Sequence, residues 1–179
     1  MNDQVLVIYG DFSCPFSELA HRRATRGAEL DGVAFEWRAV EHAPEVPAEG
    51  VPLDEDARAG FAAELARIRE LLTDGEVDVQ HVPTRRLNTA GLSAIHASLA
   101  PTKRDQFATA VFDAYWRDGR DLSDPAEVHR LGATATADGE QLAHEWQHEW
   151  EGFERRIVPM MRLADGSLSR GLGALARLQ

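Results

Sequence analysis

At 179 residues the chain can bury a core as one compact domain, or as a small domain carrying an inserted one, so its stability needs neither disulfides nor metal. Thirty acidic residues against nineteen basic ones leave a formal charge of -11, which repels phosphate backbones and anionic bilayer surfaces and argues against nucleic acid or a membrane as a partner. No apolar run approaches the roughly 20 residues that span a bilayer, and no basic-then-apolar leader opens the sequence, so a cytoplasmic location is expected.

The first element is a short unbroken apolar run, Val5, Leu6, Val7, Ile8 and Tyr9, the pattern of a central strand covered on both faces. Over 16–30, Phe16, Leu19, Ala20, Ala24 and Ala28 recur at helical spacing, and Gly32 follows as a stop. Val33, Phe35, Trp37 and Ala39 then alternate with Glu36 and Arg38 as a second strand, so the first unit is a parallel crossover.

Residues 44–52 hold three prolines and a glycine and mark a boundary. Beyond it come three amphipathic stripes: Phe61, Leu65, Ile68, Leu71 and Leu72; then Leu92, Ile95 and Leu99; then Phe107, Val111, Phe112 and Tyr115. Asp124 and Pro125 are suited to start a fourth helix, and a fifth is expected over about 138–153. Residues 157–163 and 167–170 flank Asp165-Gly166 as a hairpin, and Leu172, Ala174, Leu175 and Leu178 close the chain with a short helix. The fold class expected is α/β, a thioredoxin-like fold with an all-helical domain inserted in the middle. On this reading residues 1–43 and 155–179 form the thioredoxin-like part, and 44–154 the insertion with its linker.

One cysteine cannot close an internal disulfide, so Cys14 is either a small buried hydrophobe or a thiol that works with something external. It stands in Asp11-Phe12-Ser13-Cys14-Pro15-Phe16-Ser17, where the strand turns into the helix. Free N–H groups and the positive end of the helix dipole there favour a thiolate, which predicts a lowered pKa unless Glu18, one turn on, faces the sulfur. Pro15 suits the first helical position, since its missing N–H would have no partner.

The loop resembles the D-x-x-C-P-x-C site of DsbA-like oxidoreductases, with Ser17 at the second cysteine's place. It is also similar to the D-x-x-S-P-x-S loop of kappa-class glutathione transferases and hydroxychromene carboxylate isomerases, with Cys14 at the reactive serine's place. Leu87-Asn88-Thr89 resembles the segment opening the insertion helices in that second branch, Arg120-Asp121-Leu122-Ser123-Asp124-Pro125 adds to it, and Val158-Pro159 resembles the cis-proline element facing the cysteine. The resemblance implies Cys14 and Ser17 as catalytic residues and Phe12, Ser13, Pro15, Phe16, Val158 and Pro159 as substrate-binding. It implies no tightly bound cofactor, glutathione or mycothiol as a co-substrate, and a small thiol or disulfide, a peptide or an aromatic compound as the partner; a homodimer is left open. Net dithiol cycling is not expected, since a C-x-x-S loop lacks a resolving thiol. Three readings stay open: monothiol exchange, a thiol-dependent transferase or isomerase, and a binding protein that keeps the groove without the reaction. A cis Pro159 presents the backbone of Val158 for strand pairing with a substrate, whereas a trans one is an ordinary strand start. Arg155 and Arg156 either offer charge to a low-molecular-weight thiol or are solvated surface.

A rival motif, His144-Glu145-Trp146-Gln147-His148, matches H-E-x-x-H, which puts two imidazoles on one helix face beside a general base. The third ligand of its extended form fails, because Gly152 falls one position out of register. Trp146, Trp150 and Phe153 read instead as the core stripe of that helix, and no metal is expected.

Overall fold

The computed structural model describes residues 5–79 and 81–179. Strand β1 (Leu6–Gly10) is the second strand of a four-stranded sheet ordered β2-β1-β5-β6. β2 (Phe35–Ala39) runs parallel to it, with Leu6 opposite Phe35 and Gly10 opposite Ala39. β5 (Met160–Arg162) runs antiparallel on the other side, with Ile8 opposite Met161, and β6 (Leu168–Arg170) pairs with β5 through the Asp165-Gly166 turn. Ile8 packs on one side of the sheet with Leu19, Trp37 and Phe112; Val7 and Tyr9 pack on the other with Trp146, Trp150 and Met160. Cover on both faces is why β1 has no polar alternation.

The crossover between β1 and β2 is α1 (Pro15–Asp31). Pro15 occupies its first turn, and Gly32 ends it in the left-handed region at φ 68°, its N–H returning to the Ala28 carbonyl. At the end of β1 a side chain on Gly10 would lie 2.2 Å from the Trp37 ring, so only glycine lets that indole close over the strand.

Between β2 and β5 lie α2 (Glu55–Leu71), α3 (Ala90–Ser98), α4 (Pro101–Phe112), α5 (Pro125–His129) and α6 (Ala137–Glu151). The side chain of Asp54 caps α2 through Ala57 N–H, Asp124 caps α5 through Ala126 N–H, and Thr136 caps α6 through Gly139 N–H. α4 runs on into a π-helical turn, Asp113–Arg117, that directs Ala114, Tyr115 and Trp116 inward. α7 (Leu172–Arg177) closes the chain.

The expectation of an all-helical middle needs correcting. β3 (Val51–Pro52) and β4 (Arg85–Arg86) form an antiparallel ladder, held from outside by the Tyr115 hydroxyl on the Arg85 carbonyl at 2.6 Å, while Arg85 Nη2 of β4 reaches the Glu49 carbonyl ahead of β3 at 3.0 Å. Two residues per strand carry no periodicity, and the outside brace comes from Tyr115, thirty residues further on. On α6, His144, Glu145 and His148 point to solvent while Trp146 and Trp150 are buried. Among the described residues no three His, Cys, Asp or Glu side chains converge on a metal position, and no helix is long and apolar enough to cross a membrane.

Candidate active site

The C-terminal ends of parallel strands are where their helix dipoles and loops converge, and here β1 and β2 deliver Asp11 and His42 side by side. The Asp11 carboxylate is only 1 % exposed and takes four contacts. Its Oδ1 accepts from the Ser13 N–H at 2.7 Å and the Ser13 hydroxyl at 2.8 Å. Its Oδ2 accepts from the His42 N–H at 2.8 Å and lies 2.7 Å from His42 Nδ1. Burial pushes the Asp11 carboxyl up, but the His42 ring and amide outweigh it and hold the group below the usual carboxylate range. His42 in turn is raised above the ordinary histidine value, chiefly by its bond to Asp11 and against the opposing effect of burial.

This clamp shapes the turn into α1. The Cys14 N–H donates to the Asp11 carbonyl at 3.0 Å, and the Cys14 carbonyl accepts from Ser17 N–H at 3.0 Å and Glu18 N–H at 3.2 Å. Ser17 is fully buried, its hydroxyl accepts from the Asp11 N–H at 3.2 Å, and the side chain lies near enough to the Cys14 sulfur to favour its thiolate. The Phe12 carbonyl accepts from Trp116 Nε1 at 3.0 Å, which ties the loop to the π-helical turn. The Cys14 sulfur lies 4.0 Å from the Val158 carbonyl, and the Val158–Pro159 peptide bond is cis.

A cavity of about 300 Å³ opens over the sulfur. Ser13, Cys14, Pro15, Phe16 and Val158 line it, together with His42, Phe61 and Glu64 of α2, Arg86 of β4, Arg156 and Ile157. Phe12 and Pro159 do not line it: the Phe12 ring turns into the core against Phe112 and His96. Ser17 sits behind the sulfur, and the Arg155 carbonyl accepts from Arg170 Nε. His42, Phe61, Glu64 and Arg86 were missed from sequence. For His42 a signal exists, since it follows the second parallel strand as Asp11 follows the first. For Arg86 there is none, because only the β3–β4 ladder brings it there.

The titration of Cys14 also departs from expectation. The thiol is 8 % exposed, and burial pushes its pKa up to about 11, with the Asp11 charge adding to the effect. The Ser17 hydroxyl and the backbone amides of the helix terminus pull the other way and lose. Glu18 is taken up by Arg22, Oε1 to Nε 2.6 Å. Cys14 alkylation by iodoacetamide should therefore keep accelerating well past pH 9 toward a midpoint near 11. A midpoint at or below the free-cysteine value of about 8.5 would contradict the burial argument.

A strand, a helix opened by a cysteine and a second parallel strand, with an antiparallel hairpin headed by a cis-proline facing that cysteine, define a thioredoxin-like protein with a thiol site. The chain belongs to the DSBA-like thioredoxin domain family, which residues 5–150 match. Among solved structures it is similar to a Streptomyces coelicolor protein described as a "probable DsbA oxidoreductase", at 18 % identity and TM-score 0.68 over 98 % of this chain and 86 % of that one. It is similar also to a 2-hydroxychromene-2-carboxylate isomerase, at 23 % identity and TM-score 0.69 over 97 % and 92 %. Reduced DsbA1 from Neisseria meningitidis aligns at 12 % identity and TM-score 0.52 over 99 % and 82 %. No curated protein matches the sequence significantly.

Proposed function

We propose that this chain is a thiol-exchange enzyme that works with a single sulfur: Cys14 attacks a small disulfide in the cavity, and an external thiol such as glutathione or mycothiol resolves the mixed disulfide. The observation that carries the reading is that the sulfur of the chain's sole cysteine lines the cavity while Ser17, a hydroxyl, holds the place of a resolving thiol behind it. Two guanidinium groups, Arg86 and Arg156, border the same cavity with His42, whose pKa is raised, against one carboxyl, Glu64, a balance that suits an anionic substrate.

The raised pKa slows this chemistry without abolishing it. A thiol at about 11 rather than about 8.5 has roughly three-hundredfold less thiolate at neutral pH, but each thiolate is about ten- to twentyfold more nucleophilic, so attack slows about twenty- to thirtyfold. The same neutral thiol favours a second reading, in which Cys14 keeps its proton and donates it as a hydrogen bond to a bound external thiolate, the arrangement a transferase or isomerase needs. Intact-mass analysis after glutathione disulfide, and separately mycothiol disulfide, distinguishes the two. Exchange predicts one adduct, absent in Cys14→Ser and removed by reduced thiol. Saturable binding of the reduced thiol with no adduct from either disulfide rejects exchange in favour of the second reading.

A further inference from the structure

His42 is fixed at two points. Its backbone N–H and its ring Nδ1 both meet Asp11 Oδ2, at 2.8 and 2.7 Å. Among the described residues Nε2 has no hydrogen-bond partner, and the side chain, 32 % exposed, lines the Cys14 cavity. A buried carboxylate on Nδ1 sets the ring's orientation and leaves the Nε2 edge as the working one. We infer that His42 is the proton donor to the sulfur that departs when Cys14 attacks a disulfide, with Asp11 as its positioning residue; this rests on the exchange reading above.

The step balances as follows. Cys14 loses its proton to solvent, and the thiolate attacks one sulfur of R–S–S–R′. The Cys14–S–R bond forms as the S–S bond breaks, and the electron pair leaves on R′–S⁻. His42 Nε2–H passes its proton to that sulfur, giving R′–SH and a neutral imidazole, which is reprotonated from water. No other group lining the cavity suits this task. Arg86 and Arg156 carry charge but do not release protons. Glu64 of α2 is raised on balance by burial, with His42 and Arg86 opposing, but among the described residues no hydrogen bond orients its carboxyl as Asp11 orients His42. Around His42, Asp11 and Glu45 favour the imidazolium, while burial and Arg86 of β4 oppose it.

Acid assistance matters when the leaving thiolate is basic and is superfluous when it is stable unprotonated. The test compares His42→Asn, which keeps an amide N–H near the position of Nδ1 for Asp11, with wild type on two disulfides. These are glutathione disulfide and 5,5′-dithiobis(2-nitrobenzoate), whose leaving thiolate needs no proton. Adduct formation on Cys14 should fall about a hundredfold with glutathione disulfide and no more than about threefold with the aryl disulfide. In wild type the rate with glutathione disulfide should rise with pH and then level off as His42 loses its proton, while iodoacetamide alkylation keeps rising; in the variant the levelling should vanish. Equal slowing on both disulfides, or none on either, overturns the role of His42 while leaving exchange intact. Absence of any adduct on wild type from either disulfide overturns exchange itself and this inference with it.

Discussion

Trp116→Ala is expected to cost about 3–5 kcal/mol of folding stability, the range for a large aromatic removed from a packed core. The indole is fully buried, packs against Tyr115 and Phe61 with ring centroids 4.9 and 5.9 Å away, and donates to the Phe12 carbonyl at 3.0 Å. Two of these contacts belong to the site: Phe12 leads into Cys14, and Phe61 lines the cavity above it. Trp116→Phe separates the two contributions. Phenylalanine retains most of the volume but leaves the Phe12 carbonyl without its donor in a buried position, which costs about 1–3 kcal/mol. Urea denaturation with an unchanged m-value gives both numbers. A cost below about 1 kcal/mol for the alanine variant would mean that the π-helical turn does not brace the loop.

What the sequence discloses and what it hides divide along a physical line. β1 is legible because a strand covered on both faces must be apolar throughout, and Val7, Ile8 and Tyr9 are. α1 is legible at both ends because Pro15 and Gly32 act through local backbone geometry alone. The hairpin is legible because Asp165 and Gly166 make their own turn, the Ser167 N–H closing on Asp165 Oδ1 at 2.9 Å. By contrast the β3–β4 ladder has two residues per strand and is braced from afar by Tyr115. Arg86 reaches the cavity with that ladder, so nothing local announces it. The titration of Cys14 failed for a related reason: a helix N-terminus can be read from sequence, but the depth at which folding buries the sulfur cannot, and depth is the larger effect. The same holds for Phe12, whose ring packs inward against His96 of α3 and Phe112 of α4, contacts made far along the chain.

Ser17→Cys is expected to convert a protein without dithiol activity into one that has it. Positions 14 and 17 stand one turn apart at the start of α1, a spacing at which two thiols are near enough to join. The parent hydroxyl already stands near enough to the Cys14 sulfur to pull its pKa down, so its replacement by a thiol puts the second sulfur beside the first. The substitution leaves Pro15, the helix terminus and the Asp11–His42 clamp in place; its cost is the weaker acceptor offered to the Asp11 N–H, now bonded at 3.2 Å. The central claim, that this loop is a DsbA-like thiol site with a hydroxyl in place of the resolving thiol, is tested most directly by free-thiol titration of the folded variant after mild oxidation, paired with insulin reduction. The account predicts two titratable thiols when reduced, none when oxidised, and insulin-reducing activity that wild type lacks. Two free thiols persisting in the oxidised, folded variant would show that the side chains of residues 14 and 17 do not face each other, and would contradict the site.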